Sequence, residues 1–326
     1  MIGVGCLNNL LSKCRIRHLV ACVLLMLLFT GCTQRELCYD HSHSANVRIE
    51  FDWSEAPDAD PATMVVYFFP VDNSQCIRVE LSSDGSGTRS CFNSEIKVPE
   101  GAYYVVCHNG DTENNVEDGE TFSEYNITTY DDKLLAPLNR SDNAPRPDET
   151  DGQPVRAQAS RLYTYTVPEP VLLEPNDGEP VVIVMKPCRK STVINVRIEN
   201  VRNMVPGMEY CAVISGLAES WYPSTGMPGG RNVIVPLLLI PDGPNSLKGS
   251  AEVFGDNAPH DILHRFRLYT SVKYYYDFDV TEQIHSAPDP YNMDITLSGV
   301  TLPDNSDGMG VSVKDWGPSE NVDVEM

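Results

Sequence analysis

The chain has 326 residues, with 24 Lys and Arg against 46 Asp and Glu, for a net charge of −22 at pH 7. An acidic balance of that size repels phosphate backbones and anionic lipid head groups, which excludes nucleic-acid or membrane-surface binding through a basic patch. The length suits two domains of about 100–150 residues each better than one small sandwich.

The N-terminal stretch carries Lys13, Arg15 and Arg17, and then an apolar run over residues 19–29. Crossing a bilayer as a helix takes roughly 20 apolar residues, so this run is too short to span. A basic start followed by a short apolar core describes an export signal. It closes on Phe29-Thr30-Gly31-Cys32, which resembles the bacterial lipobox with Phe in place of the usual Leu. The expectation is a lipoprotein signal peptide over 1–31, Cys32 as the acylated first residue of the mature chain, and a tether over 32–45. Several acyl chains on one residue hold a protein to a membrane far more firmly than one does.

Beyond the signal, helical periodicity gives way to short β-branched and aromatic runs bounded by Pro, Gly, Asn and Asp. The predicted strands of the first half are 47–53, 64–69, 78–81, 95–98, 103–107, 162–167 and 180–185. In Val47-Arg48-Ile49-Glu50-Phe51-Asp52-Trp53 every odd position is apolar and every even one charged, the pattern of a strand with one wet face. Residues 131–160, with DNAPRPDETDGQP at their centre, read as a long exposed loop inside the first domain or as a mobile segment. A boundary at Lys186-Pro187-Cys188 separates domains at 46–187 and 188–326. The second half offers strands at 192–198, 210–215, 232–240, 250–254, 266–276, 292–297 and 310–313. The tetrapeptide VRIE opens both halves, at 47–50 and 196–199, which fits two similar units in tandem. Many short strands with frequent turns predict an all-β protein of two tandem β-sandwiches.

Motifs for catalysis are missing: there is no GxSxG elbow, no GxGxxG after a strand and no Walker loop, so no enzyme and no cofactor are expected. Six cysteines follow Cys32, none with the spacing of a zinc site. Cys76 and Cys91 lie equally far from a turn at Ser83-Asp84, so folding there places them opposite each other as a possible disulfide, with two free thiols as the alternative. His260 and His264 are four apart but lack HExxH and read as loop or strand histidines, while His41 and His43 sit in the solvated tether, so no metal is expected. The acidic stretch DTENNVEDGETF at 111–122 places Val116 and Phe122 where an EF-hand needs Gly and Glu, which leaves only an irregular calcium loop as an option. Trp221 and Tyr275 are candidates for stacking on sugar rings, although part of the run Tyr274-Tyr275-Tyr276 must face inward, since neighbouring side chains on a strand point oppositely.

Together the lipobox, VRIEFDW, ATMVVYFFPVD, EIKVPEGAYYVVCHNGDTE, CAVISGLAESWYPSTG and the closing GVSVKDWGPSENVDVEM resemble the Bacteroides-type fimbrillin-like (Mfa/FimB-like) outer-membrane lipoproteins, a family largely of unknown function. The resemblance implies two transthyretin-like, Greek-key sandwiches on a lipid anchor, and a non-catalytic structural or adhesive role as an anchor, accessory or tip-like subunit of fimbriae. It implies other fimbrial subunits as partners, joined by β-strand addition, with Val47, Ile49, Phe51 and Trp53 on the donor or removable strand. Shaft subunits of that kind are cut after a basic residue beyond the first strand, and no Lys or Arg lies between Trp53 and Cys76. The expected location is the outer membrane, surface-exposed, with a periplasm-facing orientation as the alternative because Thr33-Gln34-Arg35-Glu36 carries no acidic run. A glycan-binding surface lipoprotein of a polysaccharide-utilisation system is the competing reading.

Overall fold

The computed structural model describes residues 43–83, 92, 95–140, 143–176, 178–257, 262–302 and 316–318. The signal segment, Cys32, Cys91, His41, His260 and the predicted strand at 310–313 lie outside the described residues. In chain order the strands are β1 (Ser44–Phe51), β2 (Thr63–Pro70), β3 (Ile77–Ser82), β4 (Glu95–Pro99), β5 (Gly101–Asn109), β6 (Asn115–Asp118), β7 (Asn126–Thr129), β8 (Tyr163–Thr166), β9 (Val171–Leu173) and β10 (Val181–Met185). They continue with β11 (Cys188–Arg189), β12 (Thr192–Glu199), β13 (Tyr210–Tyr222), β14 (Met227–Pro241), β15 (Leu247–Val253), β16 (Arg265–Thr270), β17 (Tyr274–Asp279), β18 (Asn292–Ser298) and β19 (Gly317–Pro318). One short helix, α1 (Thr281–His285), lies between β17 and β18.

The first sandwich packs the three-stranded sheet β10-β1-β4 against a second sheet ordered β11-β8-β5-β2-β3. β1 behaves as its alternation dictates, with Val47 and Ile49 buried and Glu50 exposed. The predicted strand at 47–53 stops early: Asp52 accepts a hydrogen bond from the Ser54 amide at 3.0 Å, and Trp53–Glu55 form a 3-10 turn that still buries Trp53. β2 is buried along almost its whole length, and its two faces serve different cores. Met64, Val66 and Phe68 join Val47, Ile49, Val98 and Val105 inside the sandwich. Val65, Tyr67 and Phe69 join Tyr125, Ile127, Trp221 and Phe254 in a core shared with the second half. A continuous apolar run is what a strand covered on both faces requires.

The second sandwich is one ladder ordered β18-β12-β15-β14-β13-β16-β17-β19. β14 pairs with β13 over most of its length and reaches β15 only at Ile240 and Pro241, so the sheet turns a corner there. Both layers face a single core that includes Ile194, Val196, Tyr210, Leu237, Phe266, Phe278 and Ile295. The two VRIE segments occupy the same topological place. β1 lies between β10, parallel, and β4, antiparallel; β12 lies between β18, parallel, and β15, antiparallel. In both, the Val and Ile point into the core.

Further sequence expectations need correction. The run 266–276 is a hairpin, not one strand, because Lys273 takes a positive φ of 66° and the Tyr274 amide donates to Thr270 Oγ1 at 3.1 Å. A left-handed residue closing a three-residue loop lets the strands return antiparallel. Residues 131–160 form no long strand, yet they do not hang free. Leu135 and Leu138 pack on Cys211, Val213, Ile234 and Tyr269, outside the second sandwich's core. Arg267, 2% exposed, pairs with Asp277 and donates to the carbonyls of Pro145 and Arg146. The strand pairs also cross the expected boundary: β6 and β7 join the second-half ladder through Trp221 and Ile127, and β11 joins the first-half sheet.

Candidate functional site

The chemistry-bearing side chains of the second half converge at a bulge in β13. Its pairing with β14 shifts register between Ile214 and Leu217. Gly216 sits there with a φ of +80°, a conformation side chains rarely tolerate. A Cβ on Gly216 would also stand 2.8 Å from His264 Nδ1, so only glycine lets the imidazole approach the strand. Bulges break the ladder and re-aim neighbouring groups. Here Leu217 bridges to Asp256 and the Ala218 amide donates to the Gly255 carbonyl at 3.0 Å, which places Asp256 beside His264.

His264 is fully buried, and its Nδ1 lies 3.0 Å from the Ser215 carbonyl. A carbonyl only accepts, so Nδ1 carries the proton and Nε2 faces the other way. Nε2 stands 3.1 Å from Asp256 Oδ1 and 3.2 Å from His285 Nε2. Asp256 Oδ2 is 3.6 Å from His285 Nε2, and the two imidazole rings meet edge to face. The His264 amide donates to Thr281 Oγ1 at 2.9 Å, tying this corner to α1, whose last residue is His285. Asp256 and His285 line a cavity of about 450 Å³, together with Lys190, Trp221, Met227 and Tyr291.

The sequence singled out only His264 of this trio, and as half of a His260/His264 pair. Asp256 and His285 carry no spacing that signals a ligand set, because a bulge and a helix, not a local motif, bring them together. Among the other candidates, Val47 and Ile49 are buried on β1, Phe51 is half-buried at its end, and Trp53 is buried beyond it. Cys76 is bonded to no other cysteine among the described residues, and its expected partner Cys91 lies outside them. Trp221 is 5% exposed, with Lys190 Nζ 5.6 Å from its ring centroid. Tyr275 lies under the Arg267 guanidinium, 4.3 Å from the ring centroid.

The acidic stretch at 111–122 has a structural task. It forms the β6 arm of a hairpin, and Glu117 reaches across to the first sandwich. Tyr67 Oη donates to Glu117 Oε2 at 2.7 Å, and Arg78 donates through Nε at 2.9 Å and Nη2 at 3.1 Å. His108 Nε2 lies 3.1 Å from Oε1. Burial pushes the Glu117 carboxyl up, but the hydrogen bonds from His108, Arg78 and Tyr67 outweigh it and bring it down to about 2. A second carboxylate, Glu219 on β13, is held at about 2 by hydrogen bonds from Arg231, against burial, with further help from Arg156. Arg156 thereby fastens the 131–160 segment to β13.

No curated protein matches the chain in sequence. Among solved structures it is similar to an adhesin candidate from Bacteroides ovatus ATCC 8483, at 18% identity and a TM-score of 0.56, covering 90% of this chain and 98% of that one. A second Bacteroides ovatus adhesin candidate matches at 9% identity and a TM-score of 0.50, over 79% of this chain and 90% of that one. The fimbrial anchor protein Mfa2 from Porphyromonas gingivalis matches at 14% identity and 0.47, over 78% and 90%. At such identities the likeness concerns the fold. A family model described as a domain of unknown function, DUF5119, matches residues 31–237, well over half the chain, and the protein belongs to that family.

Proposed function

We propose that this chain is a cell-envelope lipoprotein of fimbrillin-like architecture, held at the outer membrane through Cys32 and serving as a non-catalytic structural or adhesive subunit. One observation carries the reading: β1 is the middle strand of β10-β1-β4, held by a parallel ladder on one side and an antiparallel one on the other. Withdrawing it would leave two rows of backbone donors and acceptors around a groove lined by Val98, Ile183 and Met185. Such a groove accepts a strand from another subunit, with the backbone giving affinity and alternate side chains giving specificity. The edge strand β10 also leaves Val182 and Val184 half-exposed. The lack of Lys or Arg between Trp53 and Cys76 favours an uncut anchor, accessory or tip-like subunit over a polymerising shaft.

Deleting residues 44–53 should convert the protein into multimers, or into a form that captures a peptide with the sequence of that strand. An unchanged monomer that ignores the peptide would count against strand addition. Cys32→Ala should abolish incorporation of labelled palmitate and release the chain from the membrane fraction; full retention would remove the anchor.

The glycan-binding alternative draws on the cavity, where Trp221 and Tyr291 supply aromatic surface beside Lys190. Tyr275 lies elsewhere, under Arg267. A polysaccharide array decides: absence of retention by the wild-type protein disposes of this reading.

A further inference from the structure

We infer that Asp256, His264 and His285 form a binding site for a divalent transition-metal ion, zinc being the ion that the donor set suits. Their ligand atoms all lie within 4.8 Å of one another. The tautomer fixed by the Ser215 carbonyl turns the lone pair of His264 Nε2 toward a carboxylate oxygen at 3.1 Å and another imidazole nitrogen at 3.2 Å. With the His285 proton on Nδ1, two imidazole lone pairs and a carboxylate oxygen converge on one point, an arrangement that suits a cation.

The separations match a metal. Ligands placed about 2.1 Å from a tetrahedral zinc stand about 3.4 Å apart. The observed separations are 3.1, 3.2 and 3.6 Å. Two imidazoles and one carboxylate form a set that zinc takes readily, with a fourth position left for water or another donor. Asp256 and His285 line the 450 Å³ cavity, so an ion held between them borders it.

The surroundings are those of an oriented ligand. A metal-bound histidine commonly donates its other nitrogen to a backbone carbonyl, which fixes the ring and raises its basicity. His264 does so to Ser215, and the Ser215 hydroxyl in turn accepts from the Arg265 amide at 2.9 Å. Gly216 leaves the space the ring needs. A proton on His285 Nε2, or one shared between His264 and Asp256, would join the same atoms without a metal, and a binding experiment separates the two accounts.

Untagged full-length protein, stripped with chelator, should take up one zinc ion per chain in a calorimetric titration. Cobalt in its place should give the visible absorption of a tetrahedral site. His285→Gln, on a partly exposed ring, should weaken binding by at least about 100-fold, since losing a ligand costs no less than the roughly 10–100-fold of losing a group that orients one. Asp256→Asn should do the same, while a His41→Gln, His43→Gln double variant should bind as the wild type does. Circular dichroism of each variant confirms that the strands persist. Absence of stoichiometric zinc in the wild type overturns the inference. So does undiminished binding by folded His285→Gln, or loss of binding in the His41, His43 variant, which would place the ion on the tether.

Discussion

Replacing Glu117 with Gln tests how the two sandwiches are fastened together. The side chain sits on β6, in the second-half ladder, yet its acceptors are filled by Tyr67, Arg78 and His108 from β2, β3 and β5. Its carboxyl falls from 4.5 to about 2 in the folded protein, the hydrogen bonds overcoming the upward push of burial. A carboxylate held below its unfolded value adds stability above pH 4.5, and that stability is lost as pH falls toward 2. At about 1.4 kcal/mol per unit the full shift corresponds to about 3 kcal/mol. The side chain is 27% exposed, and solvent screening reduces the expected figure to about 2 kcal/mol. More than half of it should be gone by pH 3, where the unfolded carboxyl is protonated and the folded one is not. Urea denaturation of wild type and Glu117→Gln at pH 7 and pH 3 measures this directly. The expected gap is about 2 kcal/mol at pH 7 and under about 1 kcal/mol at pH 3. A gap that does not change with pH would refute the charge-based account and leave only lost packing.

Phe69, 1% exposed, stacks beside Tyr67 and Tyr125 in the core shared by the two halves. Phe69→Ala should cost about 3–5 kcal/mol in urea unfolding, and a loss under about 1 kcal/mol would mean that this core contributes little. The cysteines divide by burial. Burial raises the Cys107 thiol well above its ordinary range and pushes Cys211 up to about 12. Both should escape alkylation in the native protein at pH 8, as read by peptide mass spectrometry, and modification of either without unfolding would contradict their burial. The same digest, run without reduction, reports whether Cys76 is joined to Cys91.

The sequence determined the strands whose pattern is local. The alternation in Val47–Phe51 required one wet and one buried face, and the strand has both. The unbroken apolar run at 64–69 required cover on both sides, and it lies between two cores. The repeated VRIE marked equivalent strands, because a first strand flanked by a parallel and an antiparallel neighbour needs the same inward Val and Ile. The composition of the chain also set its charge.

What depended on distant partners was not legible. The short, polar strands β6 and β7 hold their place through a pairing with Trp221 and the bonds of Glu117, neither of which leaves a periodic trace. Residues 131–160 read as a loop because their apolar groups are few, yet Leu135 and Leu138 find a surface on the second sandwich, and Arg267 anchors the backbone at Pro145 and Arg146. The Asp256, His264 and His285 trio is the clearest case. A bulge at Gly216, a bridge from Leu217 and a one-turn helix deliver three residues with no common spacing to a single point. Local alternation is written in adjacent residues, whereas convergence is set by where the chain returns, and only the folded sheet decides that.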